Sequence, residues 1–319
     1  MLEEEKEEPH IAVIWDDDGS PDGMIALMYL LLNPNVEVKA LTVSSGEAYP
    51  REFALLLERM LLKLDRTDIP IGAGSETPLS GNNAFPDPWR VATSDFWGIE
   101  LPEIPDQPEP LDAAELIIDV LKASMEPVTI FISGTHTNLA EALRIEPKIK
   151  YKIASVEVMG GALFVPGNIA SDWPDATNET AEWNIFIDPV AAVEVFSSGL
   201  PLSITPLDAT DEVVWTRQDA DAWQTSTSPE GILAYQLLDW TLNTWFQDGV
   251  YIWDLVAAVN LTHPEYCESK PLYVEISTEK GPDEGRTVVF EGETPNLDAC
   301  LQPNSESIRD HIEDVFRGE

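Results

Sequence analysis

The chain has 319 residues, 44% of them hydrophobic, enough to bury a large core as one big domain or two small ones. Lys and Arg number 18 against 58 Asp and Glu, and the formal charge of -40 repels phosphate backbones and anionic lipid, which excludes nucleic acid and membrane surfaces as partners. No apolar run reaches the ~18 residues of a membrane span, and "MLEEEKEEP" is the reverse of a basic leader, so a soluble protein is expected, with cytoplasm and export both left open.

In chain order, "HIAVIW" reads as a buried strand, "SPDGMIALMYLLLN" as a helix with Pro21 in its first turn, and "VEVKALTVS" as a second strand. The alternation continues with "EFALLLERMLLKL" and "LDAAELIIDVLKAS" as helices, "PVTIFIS" as strand, "NLAEALRIEP" as helix and "ASVEVMGG" as strand. This order predicts an α/β fold: an open, mostly parallel, Rossmann-like sheet with helices on both faces. Between Ile71 and Pro110 the chain is rich in Pro, Gly, Asn and Trp without periodicity, as an active-site flap would be. Residues 210–259 look helical and tryptophan-rich, and "PLYVEIST" with "RTVVFE" predicts a small late β-hairpin before a C-terminal helix. Residues 1–9 read as an acidic disordered tail before a single domain over 10–319. Cys267 and Cys300 have neither metal-ligand nor C-x-x-C spacing and are read as two structural thiols, with pairing as the other option.

The stretch "VIWDDDGSPDG" holds Asp16, Asp17, Asp18 and Asp22 directly after the first strand. Ligands of open α/β sheets sit beyond the carboxyl ends of the strands, and carboxylates crowded there need a countercharge that a divalent cation supplies. Ser20 or Asp18 alone would serve as helix caps; four aspartates together point to a metal or catalytic site. An EF-hand loop fails, because Pro21 stands where its glycine belongs and Leu27 where its glutamate belongs. A haloacid-dehalogenase-type phosphatase is similar in having a strand followed by D-x-D-G-[ST], here Asp16 to Ser20, with Ser133 as a second motif. Its later acidic pair has no counterpart in "VEVMGGALF".

A third resemblance covers most of the chain. "VIWDDDGSPDGMIAL", "LTVSSGE", "ISGTHTNLAEALRIEP", "VMGGALFVPGN", "AEWNIFIDPVAA", "LDAT" and "YIWDLVAAV" resemble, in order, the motifs of the inosine-uridine-preferring nucleoside hydrolases. The resemblance implies hydrolysis of the N-glycosidic bond of ribonucleosides to ribose and free base by a Ca2+-bound water, and a homo-oligomer, dimer or tetramer. Asp16 matches the position that binds Ca2+ and acts as general base. Ser133, through its carbonyl, and Asp254 match further metal ligands. Asp22, Asn168, Glu182 and Asn184 match binders of the ribose hydroxyls, with Met159 beneath the sugar.

Three departures stand out. Gly23 replaces a calcium-binding aspartate, Glu47 replaces an asparagine, and Trp253 replaces a histidine that helps protonate the leaving base in some members. A carboxylate lost at 23 and gained at 47 restores the ligand charge, so Glu47 is expected on the metal. Trp253 offers its ring to the base and no acid proton. Phe85, Trp89, Phe96 and Trp97 are expected to close over the nucleobase. The alternatives are a Ca2+-dependent nucleoside or sugar binder without turnover, and the phosphatase.

Overall fold

Residues alternate between two cores along β1 (Ile11–Asp17). Val13 and Trp15 face one, Ala12 and Ile14 the other, the period-2 consequence of a strand covered on both sides. The computed structural model describes residues 10–81, 83–173 and 175–318; the acidic tail expected over 1–9 lies outside the described residues. After β1 come β2 (Val36–Val43), β3 (Ile71–Ala73), β4 (Leu111–Asp112), β5 (Val128–Ile132), β6 (Ile153–Met159) and β7 (Leu202–Thr205). A two-stranded antiparallel ribbon joins β8 (Val214–Trp215) to β9 (Val250–Tyr251). The last strands are β10 (Cys267–Ile276), β11 (Thr287–Phe290) and β12 (Leu297–Pro303).

The main sheet runs β11-β10-β12-β7-β6-β5-β1-β2-β3-β4. Every neighbouring pair from β12 and β7 through to β4 is parallel. The fold is thus the expected open, mostly parallel α/β sheet. The late hairpin is present, and because β12 lies between β10 and β7 it extends the main sheet. Chain progress goes one way from β1 to β4, then restarts at β5 on the other side of β1. That reversal opens a crevice at the carboxyl ends of β1 and β5.

Helix Pro21–Leu32 begins at this crevice. Ser20 caps it by accepting the Gly23 N–H at 2.8 Å, and Pro21 occupies the first turn. Its uniformly apolar body is buried against helices Pro229–Thr244 and Trp253–Thr262. The expected thiols are corrected: Cys267 and Cys300 form a disulfide. They meet because β10 and β12 run antiparallel, a long-range pairing that their spacing does not reveal. The segment from Ile71 to Pro110 carries helix Asp87–Ser94 and a short 3-10 turn, Phe96–Gly98, that its composition hid. Among the described residues no helix is long and apolar enough to cross a membrane.

Candidate active site

A cavity of about 300 Å³ opens at the crevice. One end is acidic: Asp18 just past β1, Glu47 past β2, Asp22 in the first turn of its helix and Asp254 at the start of helix Trp253–Thr262 all line it. Ser20 joins the two helix starts by donating its hydroxyl to Asp254 Oδ2 at 2.8 Å, while the Asp254 N–H donates to Asp22 Oδ2 at 3.1 Å. Both carboxylates sit at helix N-termini, where negative charge is favoured. Asp18 Oδ2 accepts the Glu47 N–H at 3.4 Å, which ties the ends of β1 and β2 together. This approach needs Gly46, because a Cβ there would lie 2.1 Å from Asp18 Oδ2.

The structure does not bring Asp16 to the cavity. Asp16 is fully buried within β1, where its Oδ1 accepts the Thr42 hydroxyl at 2.8 Å and the Asn138 amide at 2.7 Å. Asp18, two residues on and beyond the strand, lines the cavity. Asp17 points to the opposite face, accepting the Gly19 N–H at 2.7 Å and the Ser133 hydroxyl at 2.6 Å. Its carboxylate fills the space of a residue-23 side chain, since a Cβ at Gly23 would stand 2.0 Å from Asp17 Oδ2. The negative charge missing from 23 is therefore matched by Asp17 as well as by Glu47. Gly23→Asp is expected to destabilise the protein by about 1–3 kcal/mol through overpacking. Calorimetry would check this, and an unchanged Tm would contradict it.

The expected ribose binders converge on the cavity. Met159, Asn168, Glu182, Asn184 and Trp253 all line it, as does Ser133. Glu182 caps helix Trp183–Ile187, with Oε1 on the Asn184 N–H at 2.7 Å and Oε2 on the N–H groups of Gly161 and Ile185. Asn184 donates its amide to the carbonyls of Ser133, at 3.3 Å, and Met159, at 3.2 Å. The carboxyl ends of β5 and β6 are thereby fixed to one side chain.

The lining is also rich in aromatic rings: Phe85, Trp89, Trp183, Trp245, Phe246, Tyr251 and Trp253. Phe85 stacks on Trp183 at 4.7 Å between centroids, and Trp89 lies 5.7 Å from Trp183 and 6.0 Å from Trp245. The loop bearing Phe85 is anchored where Asp188 accepts the N–H groups of Leu79 and Ser80. Phe96 and Trp97 are corrected: both are buried against Phe53, in the core beneath the loop. Asp172 also lines the cavity, a residue the sequence reading passed over. Its signal was its place four residues after Asn168.

Burial dominates the electrostatics. It pushes Asp18, Glu47 and Asp254 well above the usual carboxylate range, with neighbouring carboxylates adding to the effect. Burial also raises Asp22. Asp16 is pushed up to about 7, Asp17 to about 8 and Glu182 to about 7, again chiefly by burial and despite their hydrogen bonds. Among the described residues no ion pair reaches any of these carboxylates. Glu47 Oε2 is buried with no hydrogen-bond partner. A buried, uncompensated set of oxygen donors suits a hard divalent cation. Among the described residues no three His, Cys, Asp or Glu side chains close into a ready-made cage.

Residues 13–310 match the sequence profile of the inosine-uridine preferring nucleoside hydrolases. The chain is 34% identical over 304 residues to the pyrimidine-specific ribonucleoside hydrolase RihA of Klebsiella pneumoniae (strain 342), covering 92% of this chain and 94% of that protein. A plant nucleoside hydrolase, PpNRh1, shares the fold with a TM-score of 0.84 at 23% identity, over 98% of this chain and 100% of the other. So does a purine-preferring ribonucleoside hydrolase from Gardnerella vaginalis, with a TM-score of 0.81 at 22% identity over 96% and 98%. The ordered motifs, the sheet with its acidic crevice, and a match spanning nearly the whole chain lead to one assignment: this protein belongs to the inosine-uridine preferring nucleoside hydrolase family, enzymes that hydrolyse N-glycosyl bonds.

Proposed function

We propose that the chain hydrolyses ribonucleosides to ribose and free base with Asp18 as the base that takes a proton from the attacking water, and with Ca2+ held at the acidic end of the cavity. The observation that carries this reading is the lining of the cavity: among the described residues it combines carboxylates and aromatic rings with no Lys or Arg. Departure of the base leaves positive charge on the ribosyl ring, which an anionic floor stabilises. A phosphate ester would instead meet four carboxylates and no cationic side chain, which disfavours the phosphatase alternative.

The donor set fits Ca2+, with Asp18, Glu47, Asp254 and the Ser133 carbonyl as the groups that would hold it. Ca2+ takes about six to eight oxygens, so ribose hydroxyls and water complete the set. When bound, the ion supplies a fixed positive charge that acidifies water and anchors hydroxyl oxygens. The chain's own residues do the rest. Asp22, Asn168, Glu182 and Asn184 orient the ribose over Met159, and the aromatic rings, Trp253 among them, receive the base and keep water from it. Asp18 accepts the proton of a water whose oxygen bonds to the anomeric carbon as the bond to the base breaks.

Incubation of the purified protein with a panel of purine and pyrimidine ribonucleosides, followed by chromatography, is expected to yield ribose and free base in equal amounts. Binding without release would support the non-catalytic binder, and phosphate release from phosphoesters would support the phosphatase. Either result would overturn the proposal.

A further inference from the structure

A departing base must take up negative charge, and a proton delivered to it lowers that barrier. Trp253, which stands where a histidine was expected, cannot deliver one. Its Nε1–H donates to Asp211 Oδ1 at 2.8 Å, committed within the wall. The four deep carboxylates belong to the acidic end. Both oxygens of Glu182 are taken by backbone N–H groups. Tyr251 sits at the rim, 37% exposed.

Among the described residues that elimination leaves one titratable side chain lining the cavity, and the geometry points to Asp172 as the acid that protonates the departing base. The inference rests on the hydrolase reading above. Asp172 ends the one-turn helix Ile169–Asp172, which starts directly after the cavity residue Asn168. Its own N–H is fixed to the Asn168 carbonyl at 2.9 Å, so the acid and the ribose-facing amide share one rigid turn. The Ser171 hydroxyl donates to its Oδ1 at 3.2 Å, and the Trp183 indole, part of the aromatic wall, lies beside it. Asp172 thus stands beside Trp183, one of the aromatic rings expected to receive the base.

The two residues divide the proton traffic. The bond between the anomeric carbon and the base nitrogen breaks with its electron pair on the base. The Asp172 carboxyl gives its proton to the ring nitrogen or exocyclic oxygen that gathers this charge, and becomes a carboxylate. Water oxygen bonds to the anomeric carbon and its proton passes to Asp18. Ribonucleoside and water become ribose and neutral base, and Asp172 regains from solvent the proton that Asp18 later releases.

The surroundings keep Asp172 protonated in weakly acidic solution. Burial pushes it up to about 6, the Ser171 and Trp183 contacts oppose this, and the charge of Asp211 across the wall adds to the rise. Glu47 and Glu182 feel the same field in return. Among the described residues no positively charged side chain lines the cavity to offset it.

The test compares parent and Asp172→Asn on ribonucleosides and on 4-nitrophenyl riboside, whose phenolate leaves without a proton. Expected for the variant is a loss in kcat of about a hundredfold or more on ribonucleosides with KM little changed, near-parental turnover of the aryl riboside, and disappearance of the decline in rate above pH about 6. Asp172→Glu should recover part of the lost rate. Equal losses on both substrates, or none on either, would overturn the role of Asp172. A parent that releases ribose from neither substrate would instead overturn the hydrolase reading, so the two failures are distinguishable.

Discussion

Replacing Asp18 with Asn is expected to lower kcat by about a hundredfold to ten-thousandfold, the range for losing a positioned general base. The metal-free variant should be at least as stable as the parent, because one member leaves a crowded set of buried carboxylates. Asp16→Asn should show the opposite pattern. Its Oδ1 already serves Thr42 and Asn138, and its Oδ2 is buried without a partner, so an amide placed there strands a donor at a cost of about 1–3 kcal/mol. Turnover should survive, since Asp16 does not line the cavity. Steady-state kinetics and thermal melts on both variants check the pair, and reversed outcomes would return the base to Asp16.

Metal-free protein is expected to lose stability as pH rises from 6 to 9. Burial raises Asp16 to about 7, Asp17 to about 8 and Glu182 to about 7. The folded state therefore holds protons that the unfolded chain has released near pH 4. Their stabilising contribution is complete below the unfolded values and lost as pH climbs through 7 and 8. Glu182 alone, moved from 4.5 to about 7, accounts for roughly 3 kcal/mol. His136 works in the other direction. Its ring is buried, unpartnered and pushed down to about 3, so it costs stability as pH falls below 6.5. Three raised carboxylates outweigh this one ring, so the stability of the metal-free protein is greatest near pH 4 and falls from there through pH 8. Calcium should flatten the alkaline limb by binding the deprotonated cluster. A Tm that is constant between pH 6 and 9 without metal would contradict this.

Much of the fold is legible locally because its determinants are local. The apolar run of β1, the Ser20 cap with Pro21, and the alternation of strand and helix each carry their own signal within a few residues. The acidic site was legible for the same reason: a buried strand that ends in aspartates must place charge at a sheet edge. Which aspartate does what was not local. Thr42 and Asn138, from β2 and from helix Thr137–Ile145, claim Asp16, and only the end of pairing after Asp17 releases Asp18 toward the cavity. Phe96 and Trp97 read like Phe85 and Trp89, yet the backbone turns at positive φ of 46° and 52° and sends them into the core. The Cys267–Cys300 bridge likewise depends on a strand pairing formed across 33 residues.

The central claim is hydrolysis of ribonucleosides at a calcium-held site, and ribose release before and after chelation tests it most directly. Protein dialysed against a chelator is expected to release no ribose from any ribonucleoside. Added Ca2+ should restore release in the parent, and do so only at higher concentration in Glu47→Gln. Undiminished ribose release by the chelated protein would contradict the metal's role, and no release under any condition would contradict the function itself.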